Sequence, residues 1–119
     1  MKLIGLKRLT KLKKKNIGNK KLIKAVDQLI NDIKDSPKGD DLIKIRTDAD
    51  CIHGDGFYFF DMNIHRTMIL LEYVEEDDDD DNVQIANVIW VGSHDEYERT
   101  FKNNKDTIYK WLKGSGYIN

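Results

Sequence analysis

The chain has one proline, one cysteine and no long apolar run, and each scarcity excludes something. A lone cysteine, Cys51, cannot close an internal disulfide or build a multi-cysteine zinc site. It reads as a reduced thiol of a cytoplasmic protein. No apolar stretch approaches ~18 residues, so nothing reads as a membrane span. The N-terminus is basic but lacks the apolar h-region of a secretory signal. His53 and His65 have no partner at metal-ligand spacing and read as solvated loop residues. The D-x-[DN]-x-[DN]-G calcium loop is also missing, so no metal site is expected.

What is present is charge. The 119 residues are 39% apolar and 34% charged, the profile of one compact domain with much charged surface. The net charge of −1 hides a strong asymmetry. Lys2 to Lys24 holds ten lysines or arginines and no acid, whereas Glu72 to Asp81 holds eight acids and no base. The basic run is either a face that tracks a phosphate backbone or solvated surface, and the acidic run reads as solvated surface.

Residues 1–5 suit a short opening strand. Leu6, Leu9 and Leu12 then recur at helical spacing, with lysines and Arg8 between them. Asn16 to Gly18 break that helix, and Asn19 stands at the N-cap position of a second one. Leu22, Val26, Leu29 and Ile33 make the second helix's stripe, widened by Ile23 and Ile30 to suit packing on a sheet. Pro37 and Gly39 end it. Residues 41–56 carry a weak signal: LIKIR reads as a strand or a helical turn, and 48–56 as a loop.

The character then turns to β. FYFFDM (57–62), RTMILLEYV (66–74) and VQIANVIWV (83–91) read as three strands, with short connections at Asn63–His65 and Glu75–Asn82. Such connections predict an antiparallel meander whose second hairpin tip is the acidic run. The last strand is apolar on both alternations, which places it inside the sheet. Ser93 and Glu96 form the S-x-x-E signature of a capping box, so a helix is expected there with Tyr97 and Phe101 on one face. Asn103 or Asn104 caps a last helix through Thr107–Lys113, anchored by Ile108, Trp111 and Leu112 and ended by Gly114. The expected fold is α+β: a single domain over residues 1–119, with a strand and helical hairpin on a small antiparallel meander, residues 105–119 adding a helix and tail.

The closing stretch Trp90-Val91-Gly92-Ser93-His94-Asp95-Glu96-Tyr97-Glu98 resembles the W-[IV]-G-T-H-x-E-Y-D motif of the HigB-type branch of the RelE/ParE toxin superfamily. The earlier Phe60-Asp61-Met62, Asn63 and Arg66 resemble that branch's F-N-[IV]-x-x-N-x-x-R, and residues 48–62 its A-D-x-(loop)-V-x-F-N-I passage. The likeness is strongest over roughly residues 48–104. Ser93 stands in place of Thr, Glu98 in place of Asp, and the turn between Asp61 and Arg66 is shorter than the family's. The acidic run and the near-neutral charge also depart from toxins that dock on ribosomal RNA.

The resemblance implies a RelE-like fold and the toxin of a type II toxin–antitoxin pair. Such a toxin is an mRNA interferase, acting on mRNA at the ribosome and neutralised by a helix-turn-helix antitoxin. Its reaction uses the ribose 2′-OH as nucleophile and needs no metal or cofactor. The enzyme has to move protons and stabilise extra phosphate charge. His94 suits the proton transfer, because imidazole titrates near neutral pH. Arg66 suits the phosphate, since a guanidinium matches two of its oxygens. Tyr97 suits base stacking or a proton relay. Lys11, Lys14, Lys15 and Arg99 suit the RNA backbone.

Each residue has an ordinary alternative. His94 is otherwise a first-turn residue facing solvent, Tyr97 a core residue beside Phe101, and Arg66 the partner of Glu72 or another nearby carboxylate. Two further functional readings stay open: a non-catalytic module that binds RNA or protein through the Lys7–Lys24 face, and a ParE-like toxin that binds gyrase.

Overall fold

The computed structural model describes residues 1–54, 56–75 and 82–119. It is an α+β arrangement of five helices and a five-stranded mixed sheet among the described residues. β1 (Lys2–Ile4) leads into α1 (Leu6–Lys15) through Gly5, whose φ of 83° lies in the left-handed region. A side chain at Gly5 would also strike the Val88 carbonyl oxygen at 2.6 Å, so both conformation and space require glycine there. α2 (Lys20–Asp35) starts as expected: the Asn19 side chain accepts from the Leu22 N–H at 3.1 Å. Its stripe of Leu22, Val26, Leu29 and Ile33 is wholly buried. Each such side chain contributes ~1.5–3 kcal/mol relative to leaving it exposed.

LIKIR resolves as helix. α3 (Gly39–Ile45) begins where Gly39 was expected only to end α2. The reason is a tertiary contact: the Gly39 N–H donates to the buried Gln84 side chain, whose amide donates to the Glu72 carbonyl. Residues 48–56 are not all loop either. β2 (Asp50–His53) pairs antiparallel with β3 (Phe57–Met62) through an irregular register, a strand too short and too polar to announce itself.

β3, β4 (His65–Glu75) and β5 (Asn82–Ser93) form the expected meander. β2 extends it on one side, and β1 adds in parallel to β5, giving the order β1-β5-β4-β3-β2. β5 is therefore internal, as its two apolar faces require. The strands of the second hairpin pair as far as Glu75 and Asn82; the acidic tip expected between them lies outside the described residues.

The simple alternation read along β5 fails at one place. Met68 faces Trp90 and Ile69 faces Val88, so Ile89 is an extra residue, a β-bulge. Ala86 and Val88 join the core under α1 and α2, while Ile89 and Trp90 turn to the other side of the sheet. There they meet α4 (His94–Phe101) and α5 (Lys105–Gly114), which bury Tyr97, Phe101, Ile108 and Leu112. α5 is capped by Asn104, which accepts from the Thr107 N–H at 3.1 Å. The sheet is thus covered by α1 and α2 on one face and by α4 and α5 on the other. No described helix is long and apolar enough to cross a membrane.

Candidate functional site

β5 delivers the chain to the start of α4, where the capping box forms in full. Ser93 Oγ accepts from the Glu96 N–H and Glu96 Oε1 accepts from the Ser93 N–H, both at 3.1 Å. The Ser93 N–H holds the Glu96 carboxyl below its ordinary pKa. Gly92 precedes this box for a packing reason: a Cβ there would lie 2.6 Å from the Trp90 indole and 3.2 Å from Glu96 Cβ. His94 then opens the helix, exposed, its backbone N–H bonded to the Ile64 carbonyl at 2.9 Å.

Arg66 reaches the same place from the other end of the β3–β4 hairpin. The turn Asn63–Ile64 is two residues long, and Asn63 takes the left-handed conformation (φ 61°) that asparagine tolerates. This sets Asp61 opposite Arg66 and Gly92 on Arg66's other side. The guanidinium carbon lies 4.8 Å from the Tyr97 ring centroid and 5.1 Å from that of Phe59. The His94 ring is 6.0 Å from the Tyr97 ring, centroid to centroid. His94, Arg66 and Tyr97 are therefore gathered on the α4 face, with the Tyr97 ring between the other two in contact terms.

The arrangement has its own electrostatics. Arg66 does not pair with Glu72. Its Nε donates to Asp61 Oδ1 at 2.7 Å, and its terminal nitrogen stands 3.7 Å from Asp50. Asp61 is itself fixed by its backbone: its N–H donates to Asp48 Oδ2 at 2.8 Å, and its carbonyl accepts from Arg46 at 3.0 Å. Tyr97 is 3% exposed, too little for a base to stack on its ring. Its hydroxyl donates to Asn103 Oδ1 at 3.0 Å, and burial raises its pKa against the opposing pull of Arg66. The phenol is thus protonated at neutral pH and the ring serves as a bed for the guanidinium.

The basic residues do not converge on that cluster. Lys11 and Lys15 line a cleft of about 440 Å³ on the α1 face, together with Arg8, Leu12, Asn16, His65, Val91, Gly92 and Glu96. Alternation along β4 puts His65 on the opposite side of the sheet from Arg66. Lys14 is exposed outside this lining, and Arg99 is exposed on α4, where its Nε donates to the Asp95 carbonyl at 3.4 Å.

His65 is not the solvated loop residue expected. It opens β4 with 8% of its surface exposed, and its Nδ1 has no hydrogen-bond partner among the described residues. Burial lowers its pKa, which Glu96 partly opposes. His53 ends β2, and its side chain lies outside the described residues.

Sequence reasoning missed Arg8, Asp50, Asp61, Asn103 and the placement of His65. Asp61 had a usable signal, since a two-residue turn at Asn63–Ile64 puts it directly across from Arg66. No family model, curated protein or solved structure matches the chain.

Proposed function

We propose that the chain is a RelE-superfamily, HigB-like toxin, an mRNA interferase that cleaves RNA by attack of a ribose 2′-OH on its own 3′-phosphate. The observation that carries this reading is the meeting of Arg66 and His94 around Tyr97, at the end of the strand that bears the motif. In the reaction His94 takes the 2′-OH proton. The O2′–P bond forms as the P–O5′ bond breaks, and the imidazolium returns its proton to the leaving O5′. Arg66 turns from its exposed carboxylate partners to the phosphate oxygens and stabilises the phosphorane. Tyr97 acts through Arg66 as a positioning residue. The partners of this reading are mRNA on the ribosome and a helix-turn-helix antitoxin that holds the toxin inactive in the cytoplasm.

Inducible expression with and without His94→Ala tests it. Wild type arrests growth and yields RNA fragments ending in 2′,3′-cyclic phosphate, and the variant does neither. Equal arrest in both strains removes His94 from the reaction, and intact RNA with wild type removes the enzyme.

One observation favours a second reading, a non-catalytic RNA-binding module on the same fold. Arg66 already faces two aspartates, which offset the charge a phosphorane needs. Binding that weakens steeply with salt, without cleavage products, identifies that module.

A further inference from the structure

We propose that the cleft between α1 and the adjoining ends of β4 and β5 binds a nucleoside phosphate, with the phosphate on Arg8, Lys11 and Lys15 and the sugar or base against Leu12 and Val91. The choice of a nucleotide rests on the ribonuclease reading; the capacity to hold an anion rests on the cleft itself.

Four observations carry it. First, the three cations stand at i, i+3 and i+7 on α1, so one face of the helix directs them to one place. The acid in the lining, Glu96, has Oε1 engaged by the Ser93 N–H. Second, the cleft's 440 Å³ lies within the roughly 300–1,000 Å³ that suits a small organic ligand. A bare phosphate leaves most of that space and the walls of Leu12 and Val91 unused. Third, His65 lies in the lining, more than nine-tenths buried, with a ring nitrogen that has no partner among the described residues. That nitrogen is covered as the ring stands, so a ligand meets it once the His65 ring turns toward the cleft, and the ~1–3 kcal/mol cost of an unsatisfied group favours that turn.

The fourth is position. Gly92 belongs to the cleft lining and also lies beside Arg66 in the sheet. Gly92 is itself buried against Trp90 and Glu96, so an RNA strand that joins the two places runs over the exposed start of α4. One nucleotide then lies in the α1 cleft and another at His94. An extended acidic peptide suits the cleft less well, because carboxylate side chains leave the apolar surfaces of Leu12 and Val91 unmatched where a base or sugar would cover them.

The test is binding to the full chain, read by calorimetry and by chemical-shift changes at Gly92 and His65. The probes are 5′-AMP, inorganic phosphate, adenosine, a poly-glutamate peptide and a short RNA with 2′-O-methyl riboses, which cannot undergo 2′-OH attack. AMP is expected to saturate the cleft more tightly than phosphate or adenosine. The doubly substituted Arg8→Gln, Lys11→Gln chain, altered at exposed positions only, should bind AMP roughly tenfold or more weakly. Displacement of AMP by the methylated RNA assigns the cleft to a strand, and AMP binding that the RNA leaves intact assigns it to a free nucleotide. Either result supports the site.

No saturable AMP binding, equal AMP binding in the variant, or occupation by the glutamate peptide alone overturns it. Failure here is separable from failure of the ribonuclease reading. A chain that binds AMP and cuts no RNA keeps the cleft and loses the enzyme. A chain that cuts RNA and binds no AMP keeps the enzyme and loses the cleft.

Discussion

The Arg66 guanidinium carbon lies 4.8 Å from the centroid of the Tyr97 ring, joining the β3–β4 hairpin to α4. Cation–π contacts of this kind contribute ~0.5–2 kcal/mol. The ring supplies the cation–π contact and the hydroxyl adds a weaker polar interaction with Arg66, so Tyr97→Phe should keep Arg66 over the ring at a cost of about 1 kcal/mol, chiefly the bond to Asn103. RNA cleavage by that variant should stay near wild type. Tyr97→Leu should leave Arg66 held only by Asp61, Asp50 and the Phe59 ring, and lower cleavage. A urea-denaturation cycle of Arg66→Ala with Tyr97→Leu should give a coupling of ~0.5–2 kcal/mol. A coupling of zero, or loss of cleavage in Tyr97→Phe, contradicts the positioning role.

The capping box at Ser93 sets where His94 begins its helix. Ser93→Ala removes the acceptor for the Glu96 N–H and should cost about 1 kcal/mol, whereas Ser93→Thr should be nearly neutral. The Glu96 carboxyl is held below its ordinary value of 4.5, so its contribution is present above that value. It is lost as pH falls through the lowered pKa. Glu96→Gln should flatten the acid limb of the stability curve.

Much of this was legible in local chemistry. Asn19, the Ser93–Glu96 box and Asn104 are caps whose bonds span three residues, so sequence alone specifies them. The helical stripe of α2 and the three long strands carry their periods openly. The failures were all non-local. α3 depends on Gln84, forty-five positions from Gly39 in sequence. β2 is defined by its pairing with β3. The Ile89 bulge reverses which residues of β5 share a face, and no alternation rule announces an inserted residue. The candidate site followed the same division. His94 and Tyr97 are three positions apart on one helix, and their meeting was readable. That Lys11 and Lys15 face away from Arg66 follows only from how α1 lies across the sheet.

His65 gives the fold a pH dependence of definite sign. Its pKa is lowered from 6.5 by burial, so the unfolded chain binds the proton more readily than the folded one. The stability it contributes is complete above 6.5 and is lost as pH falls through the lowered folded value. Urea midpoints on either side of that window should therefore drop on acidification, and His65→Gln should reduce the drop. The same fall in His65→Gln as in wild type would assign it to other groups.

Gly92 separates the motif's packing from its chemistry. A methyl group at this position meets the Trp90 ring at 2.6 Å and Glu96 Cβ at 3.2 Å, and β5 is paired with β4 here and at Trp90, so the ladder resists a backbone shift. The indole has to move instead. Trp90 also packs edge-on against Phe59 and Phe101, at centroid distances of 6.3 and 5.0 Å, so its displacement disturbs the core beneath α4. Gly92→Ala should cost ~1–3 kcal/mol, the range for overpacking. It should also shift the Trp90 indole resonance in an NMR spectrum. Trp90→Leu removes the obstructing ring, so adding Gly92→Ala to it should cost less than adding Gly92→Ala to wild type. Equal costs in the two backgrounds would show that something other than the indole keeps this position a glycine.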